Sequence, residues 1–284
     1  MATARKPRDL GADDLVLGHF TLSRHHDIVQ RVDAAAAAGC AGIGLYIRDF
    51  QRLEAGGMSA AGLAELLDDG GLCLAEIEAL RGWGDPAVAA AGDHLDQEAT
   101  AFRMADEFES RTVAAIGPYA GSITDAGRAF GALCDRAAEH GLLVALEFLP
   151  FTNIATAADA LRIVERADRP NGGVCVDFWH HQRGAGDLAL IEAIPGEKLV
   201  GIQVSDGPLE PTLDDYLDDC LRTRVPPGEG EMDVAGFVDA VRSTGTTATC
   251  ALEVCNEAAW ETDGAAFVLA CADGLRRFLT DGEP

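Results

Sequence analysis

Residues 143–181 read LVALEFLPFTNIATAADALRIVERADRPNGGVCVDFWHH. The stretch opens on an apolar run, Leu143-Val144-Ala145-Leu146, that ends at Glu147. It closes on a second run, Gly173-Val174-Cys175-Val176, that ends at Asp177. Short apolar runs without polar alternation are the pattern of parallel strands buried on both faces. Thr156–Ala167, between them, has helical character. Strand, helix and strand in that order make one crossover unit of a parallel sheet.

The same rhythm extends in both directions. Strands are predicted over Leu15–Phe20, Gly42–Ile47, Leu72–Leu80, Thr112–Ile116, Leu142–Leu149, Gly173–Phe178, Lys198–Val204 and Ala248–Val254. Helices are predicted over Arg24–Ala38, Ser59–Asp69, Asp93–Phe108, Thr124–His140, Thr156–Ala167, Asp187–Ala193, Asp233–Ser243 and Gly264–Leu279. Gly39, Gly70, Gly141 and Gly245 each follow a helical run, where a glycine ends a helix at least cost. Eight strand–helix repeats predict an α/β fold, a (β/α)8 TIM barrel. The 284 residues suit one such domain over 1–284, with 1–14 as a flexible N-terminal extension. A doubly wound nucleotide-binding sheet would want a glycine-rich turn after its first strand, and Gly18-His-Phe-Thr-Leu-Ser-Arg-His25 is not one. Two long segments break the rhythm: Gly82–Gly92, and Asp206–Met232 after strand seven.

Composition excludes several functions. Forty-seven acids against 22 Lys and Arg give a net charge of −25, which disfavours nucleic acid and anionic membranes as partners. No uncharged apolar stretch reaches a membrane span, and Met1–Asp14 lacks the apolar centre of a signal peptide. The eight cysteines form no C-x-x-C pair and several lie in apolar runs, so they read as reduced, buried and cytoplasmic.

The chemistry lies at the strand ends. Glu147, Asp177 and Glu253 each close an apolar run that holds no Lys or Arg, and a buried carboxylate is costly unless it is paired or binds a metal. In a parallel barrel these ends converge on the C-terminal face, where active sites are built. Gln203 adds an amide oxygen from strand seven. Three carboxylates and an amide make a hard, oxygen-rich site for one divalent ion, Mn²⁺, Mg²⁺ or Co²⁺ ahead of Zn²⁺. His180 and Arg224 are candidates to hold substrate or move a proton, and His19 is a lesser one. Glu76 and Glu78 lie two apart and so share one side of strand three; which of them reaches the pocket is open.

Leu-Glu147, Asp177-Phe-Trp-His180, Ile-Gln203-Val-Ser-Asp206 and Leu-Glu253-Val together resemble the xylose isomerase-like TIM-barrel superfamily, and the likeness spans nearly the whole chain. The superfamily includes sugar phosphate isomerases and epimerases, hydroxypyruvate isomerases, ketose 3-epimerases, and inosose and 3-dehydroshikimate dehydratases. The resemblance implies a metal held by Glu147, Asp177, Gln203 and Glu253; chemically, either Glu147 or Glu253 is expected to remove the proton, one carboxylate abstracting and the other returning it. The resemblance also implies substrate contacts from His180 and, through Arg224-Val-Pro-Pro-Gly-Glu229-Gly-Glu, from Arg224 and Glu229. Many epimerases of the superfamily carry His where this chain has Gln203, which resembles the hydroxypyruvate isomerase branch instead. The His-rich zinc site of the endonuclease IV cousins has no counterpart at strands five, seven or eight.

The expected activity is a metal-dependent isomerase or epimerase on a keto-sugar or polyol, working by proton abstraction next to the carbonyl through an enediolate. Expulsion of a β-hydroxyl from the same enolate would make a dehydratase of a cyclic keto-polyol, with His180 as acid. A non-catalytic ligand-binding or partner barrel is a third reading. Dimers and tetramers are common in the superfamily, so a homo-oligomer is compatible with the chain.

Overall fold

The computed structural model describes residues 5–22, 25–84, 96–119 and 121–280. Eight parallel strands close into a barrel in chain order: β1 (Leu15–Leu17), β2 (Gly42–Tyr46), β3 (Cys73–Leu80), β4 (Thr112–Ile116), β5 (Leu143–Glu147), β6 (Gly172–Asp177), β7 (Leu199–Val204) and β8 (Cys250–Leu252). The helices around it are α1 (Ile28–Ala37), α2 (Ile47–Ala55), α3 (Ala60–Asp69), α4 (Gln97–Phe108), α5 (Ile123–Ala138), α6 (Ala157–Ala167), α7 (Phe178–Arg183), α8 (Ala189–Glu192), α9 (Tyr216–Arg222), α10 (Val234–Ser243) and α11 (Gly264–Thr280). None of them is long and apolar enough to cross a membrane.

The strands bury two different faces. Leu15, Leu17, Ile43, Leu45, Val144, Leu146, Val174 and Val176 join helix residues in the main core. The inward positions are small: Gly201 faces Cys175 and Ala145, and Gly42 faces Cys73 and Ala75. Barrel interiors are usually filled by Val, Ile and Leu. Here the small lining leaves room for polar side chains on the axis.

The structure refines the expected elements at several points. α2 and α7 begin on the residue after a strand, so one continuous apolar run hides the change from strand to helix. Asp177 marks the second change, because its carboxylate caps α7 by accepting the His180 N–H at 3.0 Å. β1 stops at Leu17, and His19–Thr21 turns instead as a 3-10 helix. After α3 it is Gly71, at φ 69°, that takes the left-handed conformation, and Gly70 remains right-handed. The segment expected as a flexible extension is seated over its described part. Pro7–Asp9 forms a buried-proline turn, Lys6 pairs with Glu109 at 3.1 Å, and Leu10 packs on Val16, Cys73, Ala75 and Ala251. A proline and a leucine thus cover the small apolar cluster at the barrel's N-terminal end. Most of the Gly82–Gly92 loop, from residue 85, lies outside the described residues.

Candidate active site

The register of β5, β6 and β7 brings the strand-end groups to one level. Glu147 lies beside Cys175, and Asp177 beside Gln203. The Glu253 N–H continues the β8 ladder by donating to Val204 O at 3.1 Å. Glu147, Gln203, Glu253, His180 and Arg224 line a cavity of about 330 Å³ at this end of the barrel, the size of a small-molecule site. Phe20, Ile116 and Leu149 supply apolar wall.

Asp177 is the anchored member. Arg224 Nη1 donates to Asp177 Oδ2 at 2.7 Å and to Glu253 O at 3.0 Å, while its Nε donates to Cys220 O at 3.0 Å. Burial alone would raise Asp177, but the Arg224 charge, then His180 and these hydrogen bonds, hold its carboxyl below the usual range. Arg224, expected to contact substrate, lines the cavity wall with its guanidinium engaged by Asp177 and Cys220. His180 presents Nδ1 to the Tyr216 hydroxyl at 2.7 Å and Nε2 to Glu147 Oε1 at 3.5 Å. Burial drives its pKa down to about 4, so at neutral pH the ring is uncharged.

Glu147 and Glu253 behave in the opposite way. Burial first, then the charges of Glu253 and Asp177, push Glu147 well up from the carboxyl range. Burial, then Glu78 and Asp177, do the same to Glu253. Glu253 Oε2 is buried without a hydrogen-bond partner among the described residues. Glu147, Asp177 and His180 each offer a ligand atom, all within 4.8 Å of one another. An orphaned carboxylate oxygen beside clustered oxygen and imidazole donors fits a divalent cation, whose charge would relieve the repulsion.

Not every expected residue arrives. Glu229 is exposed on its turn, outside the cavity lining. The acid that serves that turn is Asp206, which accepts the N–H groups of Gly228 at 2.9 Å, Gly230 at 3.0 Å and Met232 at 3.0 Å. His19 is buried behind the site, where Arg31 Nη1 lies 3.0 Å from its Nδ1 and Asp49 Oδ2 lies 3.2 Å from its Nε2. Trp83, Phe148 and Trp179 pack in the core. Glu78 and Arg81 line the cavity, and Glu76 sits a step further back along the same strand. Strand periodicity pointed to the Glu pair, but nothing in the sequence singled out Arg81 or Tyr216.

Comparison with known proteins agrees with the barrel fold. Residues 32–271 match the family described as xylose isomerase-like TIM barrel. A 3-dehydroshikimate dehydratase of Pseudomonas putida is 27% identical over 91% of this chain and 40% of its own length. The chain thus spans well under half of that curated relative. A solved fusion of a xylose isomerase-like TIM barrel with 4-hydroxyphenylpyruvate dioxygenase superposes with TM-score 0.80 at 24% identity, over 93% of this chain and 42% of that one. The IOLI protein, solved with a bound zinc atom, gives TM-score 0.84 at 16% identity over 94% and 98%.

Proposed function

This chain belongs to the xylose isomerase-like TIM-barrel family, and on that premise we propose that it is a metal-dependent dehydratase of a cyclic β-hydroxy ketone bearing a carboxylate, of the 3-dehydroshikimate type. The observation that carries the reading is Arg81. It lines the cavity, and its guanidinium makes no hydrogen bond or ion pair among the described residues. Arg224, the other cavity arginine, is committed to Asp177. An exposed cation in that wall, whose charge also acts on Glu147, suits an anionic substrate better than a neutral polyol.

Glu147, Asp177, Gln203 and Glu253 would hold the ion, which when bound supplies a Lewis acid for the substrate carbonyl. Glu147 takes the proton from the carbon next to the carbonyl, and the charge of a bound cation would favour the ionised carboxylate that this step needs. The Tyr216 hydroxyl fixes the orientation of His180, which in turn faces Glu147 Oε1. Arg81 binds the carboxylate and sets which carbon Glu147 meets. An isomerase or epimerase would share the first proton transfer and differ in where the proton returns.

The test is the Mn²⁺-loaded chain with 3-dehydroshikimate, followed by the near-ultraviolet absorbance of the conjugated product. Turnover is expected, with Glu147→Gln slower by roughly 10²–10⁴-fold. Solvent deuterium entering next to the carbonyl without loss of water would establish the isomerase instead. Neither reaction, on this substrate or on inosose and keto-sugars, would leave the binding-protein reading.

A further inference from the structure

Several local departures from regular barrel geometry converge on Glu78. Pairing of β2 with β3 passes from Ile43–Leu74 to Gly44–Glu76, so Ala75 is an extra residue. Bulges of this kind re-aim side chains near active sites. Beyond it Ile77 packs outward in the core, while Glu78 lines the cavity. A second irregularity, against β4, falls between Ile77 and Leu80, and there Ala79 adopts φ 64°, a left-handed conformation unfavourable for alanine. Gly44 lies beside the Glu78 carboxyl, and a Cβ there would collide with Glu78 Oε1. The backbone N–H of His19 donates to that same oxygen at 2.9 Å. His19 is itself fixed, its ring held between Arg31 and Asp49.

A bulge, a left-handed alanine, a glycine that makes room for the carboxyl and an aimed backbone N–H thus fix one oxygen of one carboxyl. Glu78 forms no ion pair among the described residues, so these devices do not serve a structural salt bridge. Its Oε2 has no hydrogen bond among the described residues and belongs to a cavity-lining side chain. Resting on the dehydratase reading, we propose that Glu78 delivers the proton to the hydroxyl that leaves the substrate. Glu147 removes the proton next to the carbonyl. The C–O bond then breaks, its electron pair staying on oxygen, and Glu78 Oε2–H protonates that oxygen as water forms. The Glu78 carboxylate regains a proton through solvent as Glu147 releases its own, so the net change is hydroxy ketone to enone plus water.

The surroundings supply the proton. Burial first, then Glu76 on the same strand, raise Glu78 to about 8, with Glu147 adding to the rise. The His19 N–H and Arg31 act the other way, and Glu253 from beyond β8 also faces the group. His180 is less suited to the task, since burial keeps it neutral and Tyr216 occupies Nδ1.

The experiment uses Mn²⁺-loaded Glu78→Gln with 3-dehydroshikimate and with its analogue carrying fluorine in place of the leaving hydroxyl. Fluoride departs without a proton. Dehydration of the natural substrate is expected to slow by roughly 10²–10⁴-fold. Fluoride release and deuterium exchange next to the carbonyl should stay within several-fold of wild type, with unchanged metal content. Wild-type dehydration by the variant, an equal deficit on the fluoro substrate, or lost metal would each overturn the assignment. Glu78→Asp, which keeps the carboxyl, should retain part of the hydroxyl rate and guards against a folding defect in the Gln variant. Absence of dehydration by the wild-type chain would instead refute the parent reading, and is read without any variant.

Discussion

Glu76 offers a direct measurement of what the polar barrel interior costs. It is buried on β3 behind Glu78, and burial, partly offset by a hydrogen bond with Thr249, raises its pKa from 4.5 to about 7. The folded-state pKa lies above the unfolded one. Between them the native chain keeps a proton that the unfolded chain releases, so stability falls as pH rises. The contribution is complete below pH 4.5 and lost by pH 7 and above. At ~1.4 kcal/mol per pH unit, the interval from 4.5 to about 7 corresponds to about 3 kcal/mol. Glu76→Gln has nearly the same volume and no proton to lose. Relative to wild type it should gain about 3 kcal/mol on going from pH 4.5 to pH 8, equivalent to roughly 5–10 °C in Tm. Removing this charge also relieves Glu78 and Glu253, which adds in the same direction. Urea unfolding of the chelator-treated proteins across that pH range is the assay, because metal would stabilise the folded state unequally. Parallel pH profiles for the two proteins would refute the argument.

Two further substitutions examine the frame of the site. Arg224→Met leaves Asp177 buried without its partner and should cost about 3–5 kcal/mol; Arg224→Met with Asp177→Asn should recover more than half, and no recovery would deny the pair its stated role. Asp206→Ala strips the acceptor from Gly228, Gly230 and Met232 N–H and should cost about 3 kcal/mol by denaturant unfolding. A loss below about 0.5 kcal/mol would mean that water replaces Asp206 fully.

Much of this was legible in the chain because burial on two faces is so restrictive. A carboxylate at the end of an apolar run has few destinations in a parallel sheet, and Glu147 and Glu253 reached the expected one. Asp177 arrived there too, with a partner that was not foreseen. Arg224 is 47 residues away in sequence, and an arginine beside prolines carries no mark of the carboxylate it will meet. Glu229 was misplaced for the same reason, since the turn is organised by Asp206, two residues past β7, and not by its own acid. Glu76 and Glu78 were visible as a pair, but only the bulge at Ala75 decides how they enter the barrel, and a bulge has no sequence period. α9 was hidden because it lies inside a long polar segment whose order comes from Asp219, which accepts Thr212 N–H at 2.9 Å and Leu213 N–H at 3.1 Å.

Asp206 has a further consequence, for how such a barrel changes its substrate. Asp206 and Val225 exchange backbone hydrogen bonds at 3.0 and 2.9 Å, which ties the two ends of the intervening excursion together at its root. That excursion carries Leu217, Cys220 and Leu221, all in the cavity wall. With its root clasped, length can be added before α9 at little entropic cost, since doubling a flexible loop costs only about 0.6 kcal/mol in closure entropy. The wall formed by Leu217 and Leu221 can therefore be remoulded from within the excursion, provided that Tyr216, Cys220 and Arg224, which hold His180 and Asp177, are kept.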